Sequence, residues 1–244
     1  MKIHVLLSPL NADEIYFTGK TTVVIDILRA TSTIVSALDN GAKEIIPVNT
    51  VEFAMKVSGT SFGGQTLLAG ERNALKIDGF AMGNSPLEFK PEIINGKSII
   101  LYTTNGSKAI VKAKFSENLF IGSFNNLFAI VEHLKNLGED AVIVCSGMSG
   151  MFCMEDSVCA GMMLDEIRKT TPDLELTDSG KACLVLYENV KDDLLAMIKK
   201  TEHGRILEEK GFAEDLEHCS KVGISDLVPV YSTGVIKPFV KEEI

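Results

Sequence analysis

From Thr21 to about residue 170 the chain alternates between two hydrophobic periods. Short apolar, β-rich runs are TTVVIDI (21–27), KEIIPV (43–48), TLLAG (66–70), KSIILYT (97–103), NLFIG (118–122) and AVIVCS (141–146). Between them lie segments of helical period: TSTIVSALDN (31–40) closed by Gly41, VEFAMKVS (51–58), NGSKAIVKAK (105–114), NNLFAIVEHLKNL (125–137) closed by Gly138, and EDSVCAGMMLDEIRK (155–169). This alternation predicts βαβ units and an α/β fold, a three-layer α/β/α arrangement with a mainly parallel sheet. In NSPLEF, Ser85 and Glu88 match a capping box and Pro86 the first helical position, so a short helix is expected to start there.

Beyond Pro172 the pattern becomes helical: SGKACLVLYENV (179–190), DDLLAMIKKTEHGRILEEK (192–210) and FAEDLEHCSKV (212–222), then a last strand, LVPVYST (227–233). No Gly/Ser or Pro linker precedes this part, so residues 172–226 are read as a helical appendage of a single domain spanning 1–244.

Composition narrows the partners. With 244 residues, 45% of them hydrophobic, the chain can bury one large core. A formal net charge of -9 and the lack of any Lys/Arg run argue against nucleic acid as a partner. Five cysteines without CxxC or zinc spacing fit a reducing compartment. The N-terminal MKIHVLLSPL is too short in apolar character for a signal segment, and no run approaches the length of a membrane span. A cytoplasmic protein without a membrane partner is expected, with monomer or homodimer left open.

In a parallel sheet, ligands bind beyond the carboxyl ends of the strands. Asp26 and Arg29 follow the first predicted run, Glu71 and Arg72 the third, and Thr103, Thr104, Asn105 and Gly106 the fourth. Ser123 follows the fifth, and Ser146, Gly147, Ser149 and Gly150 the sixth. Two of only four arginines lie in these loops, which favours a multiply charged anionic substrate, because the planar guanidinium suits phosphate, carboxylate and sulfonate oxygens. The plainer alternative is that Arg29 and Arg72 pair with Asp26 and Glu71 in structural ion pairs. The turns TTNGS and SGMSG each lead into a helix and could offer N–H groups to oxyanions, although neither is a P-loop or a GxGxxG turn.

Glu155 and Asp156 open a predicted helix, where their ordinary role would be to complement its dipole. Close to anion-binding loops they would repel phosphate unless a cation intervened. Mg²⁺ held by a few carboxylates resolves that conflict, with Asp26, Glu71, Glu155 and Asp156 as candidate ligands. Two familiar phosphatase loops are absent: the DxDxT type needs an acid at position 28, which is Leu28, and no cysteine has an arginine at Cys-x5-Arg spacing. Cys145, at a strand end, is read as a small buried hydrophobe before a nucleophile. His4, His133, His203 and His218 show no metal-ligand spacing, and His203 is the one whose segment, EHGR, could fold back over the site.

Taken in order, IDILRATST, AGERN, GFAMGNSPLEF, LYTTNGS, CSGMSGMFCMEDSVCAG and the tail VPVYS resemble the 2-phosphosulfolactate phosphatase family, strongly from Val23 to Gly161 and more loosely to the C-terminus. TTNGS differs from the commoner T-T-N-G-T by a change that keeps the hydroxyl. The resemblance implies a Mg²⁺-dependent phosphatase that converts (R)-2-phospho-3-sulfolactate to 3-sulfolactate and phosphate, a step of coenzyme M biosynthesis. Position by position, the family motifs fall on Asp26, Arg29, Thr31, Glu71, Arg72, Asn84, Ser85, Thr104, Asn105, Gly106, Gly147, Gly150, Glu155 and Asp156. Asp26, Arg29, Arg72 and Asn105 are the expected catalytic set. Thr31, Asn84, Ser85, Thr104, Gly106, Gly147 and Gly150 are the expected substrate contacts. Attack by Mg²⁺-activated water is favoured over attack by Asp26 itself, because the DxDxT partner acid is missing. A phosphatase for another small phosphorylated acid and a non-catalytic binder of an anionic metabolite are the alternatives.

Overall fold

Residues 1–60 and 66–240 are described in a computed structural model of the protein. In chain order the elements are β1 (Lys2–Leu6), β2 (Thr21–Ile25), α1 (Ala30–Asp39), β3 (Glu44–Val48), α2 (Val51–Thr60), β4 (Thr66–Arg72) and β5 (Leu75–Lys76). Next come α3 (Pro91–Ile94), β6 (Ser98–Tyr102), α4 (Gly106–Lys112), β7 (Asn118–Gly122), α5 (Leu127–Leu137), β8 (Ala141–Cys145) and α6 (Met154–Arg168). The remainder is β9 (Glu175–Leu176), α7 (Asp178–Val190), α8 (Leu194–Lys200), α9 (Glu202–Glu209), α10 (Ala213–Cys219), β10 (Pro229–Ser232) and β11 (Val235–Pro238). No helix among the described residues is long and apolar enough to cross a membrane.

The strands form one sheet in the order β5-β4-β6-β3-β11-β10-β7-β2-β8-β1-β9. Both halves are parallel through their main pairs: β4 and β3 flank β6, while β7 and β8 flank β2. The antiparallel hairpin β10–β11 joins the halves, pairing with β7 on one side and β3 on the other. The fold is therefore α/β as the alternation predicts, with a mixed sheet whose centre comes from the C-terminus.

Alternation along each strand divides the core. Val23, Ile25 and Ile143 pack with residues of α5, α6 and α7, such as Ile130, Val158 and Cys183. Val24, Val142 and Val144 point the other way, into a cluster with Ile34 of α1, Ile110 of α4 and Ile99 and Leu101 of β6. Helices cover both faces. The second cluster also reveals curvature: four strands separate β6 from β2, about 24 Å in a flat sheet. Yet Gly106, just past β6, packs directly on Asp26, just past β2. The sheet curls around α1 and α4, and this brings the two carboxyl ends together.

Two predicted elements differ. The segment 192–210, expected as one helix, breaks at Thr201 into α8 and α9. Thr201 is extended (ψ 159°), and its hydroxyl caps α9 by accepting from Gly204 N. A Cβ on Gly204 would stand 2.0 Å from the Ile198 carbonyl oxygen, so the tight corner depends on glycine. The expected short helix at Pro86 is a single 3-10 turn, Pro86–Glu88, capped by Ser85. The return bond of the box shifts, because Glu88 accepts from Gly83 N at 2.7 Å.

Candidate active site

A cavity of about 520 Å³ opens beyond the carboxyl ends of the strands, with α9 along one side. It gathers six of the expected residues: Asp26, Arg29, Glu71, Asn84, Thr104 and Asn105. The tail adds His203, Glu209 and Lys210. Arg72 is not among the lining residues; it is exposed in the β4–β5 hairpin. Thr31, Ser85, Gly106, Gly147, Gly150, Glu155 and Asp156 stand behind the lining, where most of them support it.

Asp26 is held from its own helix. Thr31 Oγ1 accepts from Asp26 N at 3.0 Å and donates to Asp26 O at 2.8 Å, while Asp26 Oδ1 accepts from Ala30 N at 3.2 Å. A Cβ on Gly106 would lie 2.5 Å from both Asp26 Oδ2 and Ala30 Cβ, so α4 can approach this closely only through a glycine. Burial raises the Asp26 carboxyl to about 6; Glu71 and Glu155 push the same way, and His203 and the Ala30 N–H oppose them.

Glu71 and Asp156 act as struts between loops. Glu71 accepts from Ala74 N at 2.8 Å and Thr104 N at 2.7 Å, joining the ends of β4 and β6. Asp156 accepts from Ile27 N at 2.8 Å and Gly147 N at 3.1 Å, joining the ends of β2 and β8. Burial, with Asp26 and Glu155 nearby, raises its carboxyl well above the usual range. Gly147, at φ 67°, leaves no room for a Cβ, which would meet Met151 O at 2.2 Å. Asn105 Oδ1 accepts from Ser149 N at 3.0 Å and ties the two glycine turns together.

The tail completes the site. Arg29, fully enclosed, donates to Asp215 Oδ2 at 2.6 Å and to Ala74 O at 2.8 Å, and its guanidinium lies 4.2 Å from the centre of the Phe212 ring. Ser85 Oγ donates to the other Asp215 oxygen at 2.6 Å. The alternative reading, an ion pair of Arg29 with Asp26, is not what forms: the partner is Asp215 of α10. The guanidinium therefore builds the wall, and the other cations that line the cavity from the tail side are His203, in contact with Glu155, and Lys210, bonded to the Asn73 carbonyl. His203 Nδ1 stands 3.5 Å from Glu155 Oε1, an ion-pair contact without hydrogen-bond geometry, and this buried oxygen has no hydrogen-bond partner. Burial lowers the His203 imidazole, but Glu155, Asp26 and Asp156 outweigh it and raise it above its ordinary value.

The donor set fits a hard cation of low protein coordination. Among the described residues no three His, Cys, Asp or Glu side chains form a cage. Mg²⁺ commonly takes one or two carboxylates and completes its shell with water and substrate oxygens. Glu71 and Asp156 are committed to backbone N–H groups. Asp26 keeps Oδ2 out of any described hydrogen bond, and Glu155 Oε1 has no hydrogen bond and only the His203 ion-pair contact, which makes these two the fitting ligands. Cys145 is fully buried and does not line the cavity, and burial raises its thiol well above the normal range.

Sequence reasoning passed over Asp215, Lys210 and the Asn73–Ala74 turn. That turn closes the β4–β5 hairpin with both residues at positive φ, 54° and 66°, and Arg29, Glu71 and Lys210 all bond to its backbone. The Asn73–Ala74 pair between two short strands was the available signal.

Comparison with known proteins agrees with this architecture. The family model described as 2-phosphosulpholactate phosphatase matches residues 8–234. A probable 2-phosphosulfolactate phosphatase of Clostridium perfringens is 42% identical over 97% of this chain and 96% of its own length. Proteins of the same description from Caldanaerobacter subterraneus (42% identity; 89% of this chain, 90% of the relative) and Clostridium beijerinckii (37%; 97% and 99%) are also similar. With the match running through every loop that builds the cavity, the chain belongs to the 2-phosphosulfolactate phosphatase family of phosphoric monoester hydrolases.

Proposed function

We propose that this protein hydrolyses (R)-2-phospho-3-sulfolactate to 3-sulfolactate and phosphate with the help of Mg²⁺, a reaction of the coenzyme M biosynthetic type. Beyond family membership, the observation that carries this reading is the Asp26 carboxylate, buried at the cavity floor with one oxygen uncommitted and its pKa raised to about 6. A buried carboxylate with a free oxygen is suited to hold Mg²⁺, which would supply the charge that activates an attacking water. Mg²⁺ bound to Asp26 and Glu155 would offset charge on the phosphate oxygens.

The chain's own residues supply the rest. His203, drawn toward its protonated form by Glu155 and Asp26, presents positive charge to the substrate. Lys210 adds a second cation at the cavity wall. The struts Glu71 and Asp156 hold the four loops in place, so these groups need little reorganisation when substrate binds. Water attack remains the favoured version because Leu28 occupies the position of a second aspartate.

The test is phosphate release from 2-phospho-3-sulfolactate and a panel of phosphorylated acids, with and without chelator. The expected result is Mg²⁺-dependent release that favours the sulfonated substrate and falls by about 10³-fold in Asp26→Asn. Release unaffected by chelator would remove the metal from the reading; wild-type turnover by the Asn variant would remove Asp26.

A further inference from the structure

A second recess, of about 310 Å³, adjoins the cavity, and Thr104, Asn105 and Ser149 line both. The two spaces differ in charge. The cavity mixes acids (Asp26, Glu71, Glu209) with bases (Arg29, His203, Lys210), whereas the recess has no acidic lining residue and two lysines, Lys108 and Lys112, one turn apart on α4. In a chain of net charge -9, such a recess is a local positive feature of the kind that attracts an anion.

Ser146 supplies a second, independent observation. It lies just past β8, pinned by its backbone N–H to Ile25 O at 2.8 Å, and the residue lines the recess. Its Oγ is buried and has no hydrogen-bond partner. A buried hydroxyl is normally satisfied, and one left over at the wall of a recess is a donor for whatever enters. Lys112 is anchored at the rim by a bond from Nζ to the Pro9 carbonyl, whereas the exposed Lys108 rests its ammonium 5.7 Å from the centre of the Tyr102 ring, a contact it must leave to meet an anion in the recess.

The geometry points to a second oxyanion subsite, formed by Ser146 and Lys108, that takes the sulfonate of a substrate whose phosphate lies over Asp26. It rests on the function proposed above. A sulfonate has three acceptor oxygens and stays ionised at any physiological pH, so a hydroxyl and an ammonium suit it, and in 2-phospho-3-sulfolactate only a few bonds separate it from phosphorus. Only Thr104, Asn105 and Ser149 stand between the two spaces.

The experiment compares kcat/KM for 2-phospho-3-sulfolactate with that for 2-phospholactate, which keeps the phosphate and carboxylate and lacks the sulfonate. In Ser146→Ala and in Lys108→Met the ratio of the two should fall about tenfold, the effect expected for losing a charge-assisted hydrogen bond. Lys108 is exposed, so its variant remains informative if Ser146→Ala misfolds. An unchanged ratio in the folded variants overturns the subsite, even if both activities drop. If the wild type hydrolyses neither substrate, the proposed function fails separately, and calorimetry with 3-sulfolactate and lactate decides the subsite. A preference for 3-sulfolactate that is lost in the variants upholds it; no preference overturns it.

Discussion

At the sheet edge, Glu71 and Asp156 direct both carboxylate oxygens at backbone N–H groups, and each joins two strand-end loops. Across the cavity, in the tail, Asp215 meets a guanidinium and a hydroxyl instead, and so locks α10 onto the loop after β2 and onto Ser85. The first arrangement shapes backbone; the second attaches one segment to another through a buried ion pair. Both leave Asp26 as the carboxylate at the edge that is buried, reaches the cavity and retains an uncommitted oxygen. Acids that look equivalent in the sequence thus divide into struts, a clasp and a chemical group.

Asp215→Ala should have the largest effect. Arg29 would stay buried without its partner, and unfolding in urea should show a loss of about 3–5 kcal/mol. A loss below about 1 kcal/mol would mean that the clasp contributes little.

Asp26→Asn sharpens the contrast through pH. The folded carboxyl titrates at about 6 against 3.8 for its ordinary value, so from pH 3.8 to about 6 the native state binds more protons than the unfolded state and wild-type stability declines as pH rises. Asparagine escapes that decline. In chelator, the variant should match the wild type below the lower value and exceed it by on the order of 3 kcal/mol above the upper one. Denaturant midpoints at both ends of the window check this, and a difference that does not change with pH contradicts it.

Gly106→Ala has the smallest expected effect. Its Cβ would press on Asp26 Oδ2 and Ala30 Cβ, at a cost of about 1–3 kcal/mol in stability, with activity falling further than stability because the displaced atoms are those of the site. Equal activity at full stability would show that the close approach of α4 is dispensable.

Much of this was legible in the chain. Continuous apolar runs placed β2, β3, β6, β7 and β8 to within two residues, because strands buried on both faces leave a dense hydrophobic signal. Residues at the strand ends were readable as cavity candidates for the same positional reason. The break at Thr201 was less visible, since LLAMIKK and EHGRILEE continue one helical pattern and only the cap and Gly204 separate them. That break orients α9 and puts His203 beside Glu155, so a residue without ligand spacing became part of the site. Arg29 illustrates the opposite outcome: its place in the loop was clear, but its partner lay 186 residues away.

Local sequence by itself determined the elements, their burial and which loops carry polar groups, since these depend on periodicity and short-range caps. The tertiary structure decided the curl of the sheet, the insertion of β10–β11 at its centre, and the division of labour among the acids. Those outcomes depend on pairings between distant segments, in which a carboxylate becomes a strut, a clasp or a reactive group according to the donors that reach it after folding.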